Sequence, residues 1–330
     1  MGRFLNVGII QMPVSADTAV NLEYIEEKVA ALMSGIHKPE LIVGVECNEC
    51  FTPETIPGPM TDYFAQLAKK YEIYFIPGTI YEKSDELPEG LFYNTAPIFN
   101  PRGELVDAYR KMAPWRPAEA FAAPGKRYVV FDIPEKQTKV GVQICYDMNF
   151  PEISRAETLM GAEVLVKLTM DPQELYLLNE HIHYARALEN QAYLVSTNGV
   201  GFYNSTHLYG HSLVIDPQGK LQWEADQTES IATVTLDLDL VARCRRYGTM
   251  FLDHYVQHLR DYELPPVPYT DDYTKAPVYE NLPAAPANVK EYEADVKQIG
   301  VCQLGRLVEI APDLEKLDKN LKEFLAKKKV

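Results

Sequence analysis

Along the first hundred residues, apolar runs of strand length alternate with amphipathic stretches. Phe4 to Gln11 is a strand candidate, and Thr18 to Met33 carries Leu22, Ile25, Val29 and Leu32 at near-helical spacing, which predicts a helix with Asp17 as its cap. Leu41 to Glu46 is again almost all apolar, Thr61 to Tyr71 has a helical pattern, and Ile73 to Thr79 returns to an apolar run. Strands so uniformly apolar are expected where both faces are covered. The grammar then changes: Tyr93 to Phe99 and Glu104 to Arg110 flank Asn100-Pro101-Arg102-Gly103, a turn sequence that predicts an antiparallel hairpin.

The second half repeats this order. Strand Lys139 to Cys145, helix Pro151 to Met160 closed by Gly161, strand Glu163 to Leu168, a long helix from about Pro172 to Asn190 and strand Ala192 to Thr197 are followed by a hairpin from about His211 to Glu224, around Asp216-Pro217-Gln218-Gly219. The matching turns and element order predict two pseudo-equivalent halves packed sheet against sheet with helices outside, an α/β four-layer α-β-β-α sandwich. From about Glu263 the chain becomes rich in Pro, Tyr and Asp. A division into a main domain, 1–262, and a C-terminal arm, 263–330, is therefore expected. The arm carries two helical patterns, Asn288 to Lys297 and Gly305 to Lys328. The second has a stripe of Leu307, Ile310, Leu314, Leu317 and Leu321 that needs a partner surface, so a homo-oligomer is expected.

Composition narrows the partners. At 330 residues, 46% hydrophobic, the chain can bury a large core, and its net charge of −15 repels phosphate backbones and anionic lipid. Neither nucleic acid nor membrane is an expected partner. Five cysteines, an odd number, fit a reducing compartment; the N-terminus runs straight into a strand without a signal-type apolar segment, and no later run reaches spanning length. A cytoplasmic location is the expectation.

The candidate chemistry centres on Cys145, where the apolar strand ending Val142-Gln143-Ile144 gives way to a helix start. A thiol at such an elbow projects into the crevice at a sheet's carboxyl edge, near free backbone N–H groups that favour a thiolate and a developing oxyanion. Glu46 closes the apolar strand Leu41 to Val45, and Lys111 follows the hairpin strand ending at Arg110. Glu119 lies eight residues further on, in a loop stiffened by Pro114 and Pro117. Cys, Glu and Lys at three strand ends are the ingredients of an acyl-transfer site. Each residue also has a plain reading: a buried small hydrophobe for the cysteine, a solvated surface group for the lysine, a loop carboxylate for Glu119. Cys47-Asn48-Glu49-Cys50 has metal-ligand spacing but no second pair, so no metal is expected, and His181 and His183, two apart on a helix, face different ways and read as structural.

Over residues 4 to 250 these contexts resemble the nitrilase superfamily of carbon–nitrogen hydrolases. Lys111 to Phe121, with its Pro-Trp115-Xaa-Pro-Xaa-Glu119 core, and Cys145-Xaa-Asp147-Xaa-Xaa-Phe150-Pro151-Glu152 resemble the aliphatic amidase and formamidase branch. The resemblance implies a nitrilase-type sandwich with a C-terminal arm, no cofactor and a small-molecule amide substrate. It also implies that dimers, and often hexamers built from them, interlock through the arms. By it Glu46 is the general base, Cys145 the nucleophile, Lys111 the stabiliser of the tetrahedral intermediate and Glu119 the glutamate that positions the amide, with Trp115, Tyr146, Asn149 and Asp171 as candidate substrate contacts. Three positions depart from that branch. Gly44-Val45 stands where the family usually has Phe-Pro. Cys145-Tyr146-Asp147 looks like the ω-amidase-like branch, which typically has Arg at the position of Asn149. Asp171 stands where aliphatic amidases tend to place a Tyr, and is either a group that selects amine-bearing substrates or the N-cap of the following helix.

Overall fold

Both runs of expected strands are present, and with one further strand each they form two six-stranded sheets. The structure is a computed structural model; it describes residues 2–248 and 255–259 and the single positions 288, 290, 291 and 294, with side chains described except at 47–52 and 258. The first sheet contains β1 (Phe4–Gln11), β2 (Leu41–Glu54), β3 (Tyr74–Glu82), β4 (Tyr93–Phe99) and β5 (Leu105–Arg110), with α1 (Thr18–Ser34) and α2 (Pro59–Tyr71) between its parallel strands. The second contains β6 (Val130–Ile133), β7 (Thr138–Ile144), β8 (Val164–Leu168) and β9 (Tyr193–Thr197), with α3 (Pro151–Leu159) and α4 (Tyr176–Asn190). A small hairpin, β10 (Val200–Tyr203) and β11 (Thr206–Tyr209), precedes β12 (Leu213–Ile215) and β13 (Leu221–Glu224). Strand β14 (Ser230–Asp237) then returns to pair antiparallel with β1 before α5 (Leu238–Tyr247). The sheet orders are β14-β1-β2-β3-β4-β5 and β13-β12-β9-β8-β7-β6.

Alternation along each strand produces the layers. Leu5, Val7 and Ile9 of β1 and Leu41 and Val43 of β2 join Val140, Val142 and Ile144 of β7 and Val164, Val166 and Leu168 of β8 in one buried core between the sheets. The opposite faces bury Ile10 and Ile42 under Ile25, Val29, Phe64 and Leu67 of α1 and α2, and Leu165, Leu194 and Ile215 under Ala187 of α4. This is the α-β-β-α sandwich read from the sequence, and the two hairpin turns match in detail. Asn100 Oδ1 accepts from the N–H groups of Arg102 and Glu104 at 2.9 and 3.1 Å, and Asp216 Oδ1 from those of Gln218 and Lys220 at 2.8 and 2.9 Å. Gly103 and Gly219 close the two turns at the same φ of 75°.

Two boundaries differ from expectation. Strand β2 does not stop at Glu46 but runs on to Glu54, with its register to β3 shifted after Val45, so Glu46 sits at an irregularity inside the strand. Such a bulge re-aims a side chain. Gly44, just before it, lies so close to the neighbouring strand that a Cβ would stand 1.9 Å from the carbonyl oxygen of Pro77. The helix expected from Pro172 begins only at Tyr176, after a short 3₁₀ turn, Gln173–Leu175. Segment Trp115–Ala120 belongs to a second compact unit. The arm, with both its expected helices and its leucine stripe, lies outside the described residues except for the four single positions. Among the described residues no helix is long and apolar enough to cross a membrane.

Candidate active site

Cys145 is the first residue after β7 and opens a 3₁₀ turn, Cys145–Asn149, that leads into α3. Its φ is 50°, in the left-handed region that a side-chain-bearing residue adopts only when its surroundings hold it there. The chief holder is Asp147, fully buried two residues on. Its carboxylate accepts from Ile144 N at 3.0 Å, from Ala113 N at 2.7 Å and from the Tyr109 hydroxyl at 2.8 Å. One side chain thus ties the strand end before Cys145 to the loop that follows Lys111. Burial pushes the Asp147 carboxyl up to about 6, against the lowering pull of Lys111 and of these three donors. The native state then keeps a proton that the unfolded chain releases from 3.8 upward. The stability this confers is full below that value and is lost as pH rises through about 6. Asp147→Asn, which does not titrate, should flatten that stretch of the stability curve. Urea unfolding between pH 4 and 7 checks this, and an unchanged slope would mean that Asp147 titrates normally.

Glu46 of the interior strand β2 and Lys111, which follows the edge strand β5, form a buried pair, with Nζ 3.1 Å from Oε1. Asn94 at the start of β4 donates from Nδ2 to the same Oε1 at 2.7 Å, and its main-chain carbonyl accepts from Lys111 N at 2.8 Å. The other oxygen, Oε2, accepts from Met170 N at 3.1 Å. The neighbouring residue, Asp171, brings the second half of the site into this corner: its Oδ1 lies 3.2 Å from Cys145 Sγ. Thr197 of β9 donates to the carbonyl of Gly44 at 2.6 Å, fastening the two sheets together beside it.

Asp171 is not a helix cap. Neither the 3₁₀ turn nor α4 has a side-chain cap bond, because this carboxylate turns inward, where Lys167 Nζ and Asn179 Nδ2 each reach Oδ2 at 2.7 Å. Burial alone would push Asp171 up, but the Lys167 ammonium and the hydrogen bonds it receives outweigh this and hold it below its ordinary value. Lys167 also donates to His183 Nε2 at 3.3 Å, with Ser196 Oγ 3.3 Å from the same nitrogen. Burial and then the ammonium hold His183 well below its usual value. His181, two residues away, is exposed, so the two histidines do part to different faces of α4.

Of the remaining candidates, Tyr146 packs edge-on to Phe150 with ring centroids 5.2 Å apart. Asn149 accepts through its main-chain carbonyl from Arg186 Nη2 at 3.1 Å, while Arg186 Nε bonds the carbonyl of Met148 at 2.9 Å. In the separately described loop, the Glu119 carboxylate accepts from the N–H of Trp115, and Arg116 Nη1 reaches the Glu119 carbonyl at 2.6 Å. Cys47 and Cys50 lie among the undescribed side chains. Sequence reasoning missed Asn94, Tyr109, Lys167 and Asn179, and gave Asp147 no role. Lys167 carried a usable signal: it is the one charged residue in Val164-Leu165-Val166-Lys167-Leu168, and a buried lysine requires an acid.

Comparison with known proteins agrees with this geometry. The family described as carbon-nitrogen hydrolase matches residues 6–246. The ω-amidase NIT2-B of Xenopus laevis is 33% identical over 208 residues, 58% of this chain and 71% of that protein. The crystal structure of Saccharomyces cerevisiae Nit3, a member of branch 10 of the nitrilase superfamily, aligns with a TM-score of 0.69 at 28% identity, covering 75% of this chain and 95% of that one. An amidase from Nesterenkonia sp. shares the fold, with a TM-score of 0.64 at 20% identity over 79% of this chain and 97% of that one. The sequence relative here is an ω-amidase, whereas the motifs around Lys111 and Cys145 resemble the aliphatic amidase and formamidase branch. At the level of the whole family there is no divergence: the chain belongs to the carbon-nitrogen hydrolases, the nitrilase superfamily.

Proposed function

We propose that this chain is an amidohydrolase of the ω-amidase kind, which converts the terminal carboxamide of a small aliphatic substrate to a carboxylic acid and ammonia through a thioester on Cys145. The observation that carries the reading is the buried Glu46–Lys111 pair, joined through the adjacent residues Met170 and Asp171 to a thiol on a strained elbow. Glu46 takes the thiol proton as Sγ bonds the amide carbon. Lys111 and the N–H of Tyr146 receive the oxyanion. As the C–N bond breaks, Glu46 returns that proton to the departing nitrogen and ammonia leaves. Water then attacks the thioester while Glu46 takes its proton; the C–S bond breaks, the acid departs and the proton goes back to sulfur. Tyr146 and Asn149 contribute to the pocket wall, and the family resemblance assigns Glu119 the positioning of the substrate amide.

The ω-amidase assignment draws on the relatives named above. A second reading, hydrolysis of uncharged aliphatic amides, is favoured by Asn149, which stands where the ω-amidase-like branch typically has an arginine for an anionic substrate. The described cations around the elbow are also already engaged: Lys111 with Glu46, Lys167 with Asp171, and Arg186 with two carbonyls and Glu189. Ammonia release from succinamate and glutaramate, set against formamide, acetamide and propionamide, decides between them. Higher kcat/KM on the carboxylated amides is the expected result, and preference for the neutral ones would transfer the assignment to the second reading. Turnover confined to nitriles or N-carbamoyl compounds would overturn both.

The arm adds a separate proposal: the chain assembles as a dimer or as a hexamer built from dimers. The stripe Leu307, Ile310, Leu314, Leu317 and Leu321 would cover a neighbouring subunit. Light scattering on the full-length chain tests it, and a monomer would remove it.

A further inference from the structure

A buried carboxylate other than Glu46 lies against the Cys145 sulfur. Asp171 Oδ1 accepts from Cys145 Sγ at 3.2 Å, and Asp171 itself is buried, with 2% exposure. Its position is fixed from four sides. Lys167 and Asn179 hold Oδ2, Asn198 Oδ1 accepts from Asp171 N at 2.8 Å, and Asn198 Nδ2 reaches the Asp171 carbonyl at 3.4 Å. Lys167 is braced in turn by His183, which α4 places one turn beyond Asn179 on the same buried face. With Oδ2 held by two donors and Oδ1 turned to sulfur, this carboxylate is built into the protein around the thiol. That arrangement does not suit the capture of an amine-bearing substrate.

We propose that Asp171, fixed by Lys167 and Asn179, is a positioning residue that keeps Cys145 protonated at rest and sets the direction in which its S–H bond points. The inference rests on Cys145 being the nucleophile. Physically, a thiol can donate to Oδ1, whereas a thiolate in the same place would face a negative oxygen at contact distance. Lys167 offsets part of that repulsion but bonds the far oxygen, so the nearer negative charge prevails. The same ammonium keeps Asp171 a weak base, so Asp171 accepts a hydrogen bond without taking the proton; during turnover the proton goes to Glu46, and no covalent bond is made or broken at Asp171. The free enzyme then holds a thiol of low reactivity, and nucleophilicity appears when bound substrate and Glu46 draw the proton away.

The charged and titratable groups around the pair come from every neighbouring element. They are Glu46 of β2 and Lys111 after β5, Asp147 in the turn itself, Lys167 of β8, His183 of α4 and Tyr209 of β11. His183 is held neutral and Tyr209 is held protonated by burial, so neither changes charge near neutral pH. Asp147 titrates near 6 and therefore sets the lower end of the useful pH range.

The test is the rate at which iodoacetamide alkylates Cys145 without substrate, followed from pH 6.5 to 10 by peptide mass spectrometry that separates this cysteine from the other four. Because no substrate is present, the result is independent of which amide the enzyme hydrolyses. In Asp171→Asn the midpoint of the profile should fall by about one pH unit or more, so that alkylation at a fixed pH below the midpoint rises roughly tenfold. A midpoint that stays put or moves to higher pH in the folded variant overturns the proposal. If Asp171→Asn fails to fold because Lys167 is left buried without its counter-charge, the double variant Lys167→Met/Asp171→Asn removes both charges together. A shift in the same direction is expected there, and its absence overturns the proposal equally. A role confined to stability would lower the melting temperature while leaving the profile in place.

Discussion

Replacing Cys145 with Ala should reduce ammonia release by on the order of 10⁴-fold or more, to the background of the assay, while leaving the circular dichroism spectrum and the melting temperature nearly unchanged. The size of the effect follows from covalent catalysis: without sulfur there is no thioester, and water must attack an unactivated amide directly. Stability should survive, because the elbow is held by Asp147, whose three donors come from Ile144, Ala113 and Tyr109 and not from the thiol. With a slowly hydrolysed amide, the wild-type chain should gain the mass of one acyl group, located on the peptide containing Cys145. Substantial turnover in a pure alanine variant would end the nucleophile assignment.

The sequence exposed the elements that local physics dictates and hid those that depend on distant partners. Apolar strands, the amphipathic helices and the Asn100 and Asp216 turns are written in consecutive residues, and the structure has them. Strand β14 was not foreseen, because half-exposed Ser230 to Asp237 is strand-like only once β1 is there to pair with it. The extension of β2 past Glu46 follows from its shifted pairing with β3, which no residue count reveals. At the site, Cys145 and Lys111 were legible because each follows a strand with a strong pattern. The inward turn of Asp171 was not, because an aspartate just before a helix satisfies a cap as readily as a buried ion pair, and only the fold brings Lys167, Asn179 and Sγ to it. Gly44 illustrates the same point. It departs from the family's usual residue, and the close approach of Pro77 in the next strand supplies a reason that no one-dimensional pattern contains.

Lys111→Met should lower both activity and stability, and its combination with Glu46→Gln should separate the two. In the single variant the Glu46 carboxylate stays buried with the neutral donors Asn94 and Met170 N but without its counter-charge. Breaking a buried pair from one side costs about 3–5 kcal/mol. Turnover should fall by roughly 10²- to 10³-fold from loss of the group that meets the oxyanion. Glu46→Gln alone errs the other way, leaving a buried ammonium opposite an amide. In Glu46→Gln/Lys111→Met neither charge remains, and the Gln carbonyl can still accept from Asn94. The double variant should therefore be more stable than the sum of the two single losses implies, and more stable than Lys111→Met itself, yet remain inactive. Urea unfolding of the four proteins gives the coupling directly. Additive losses would show that Glu46 and Lys111 do not share a buried interaction in solution, and recovered turnover in the double variant would remove both residues from the chemistry.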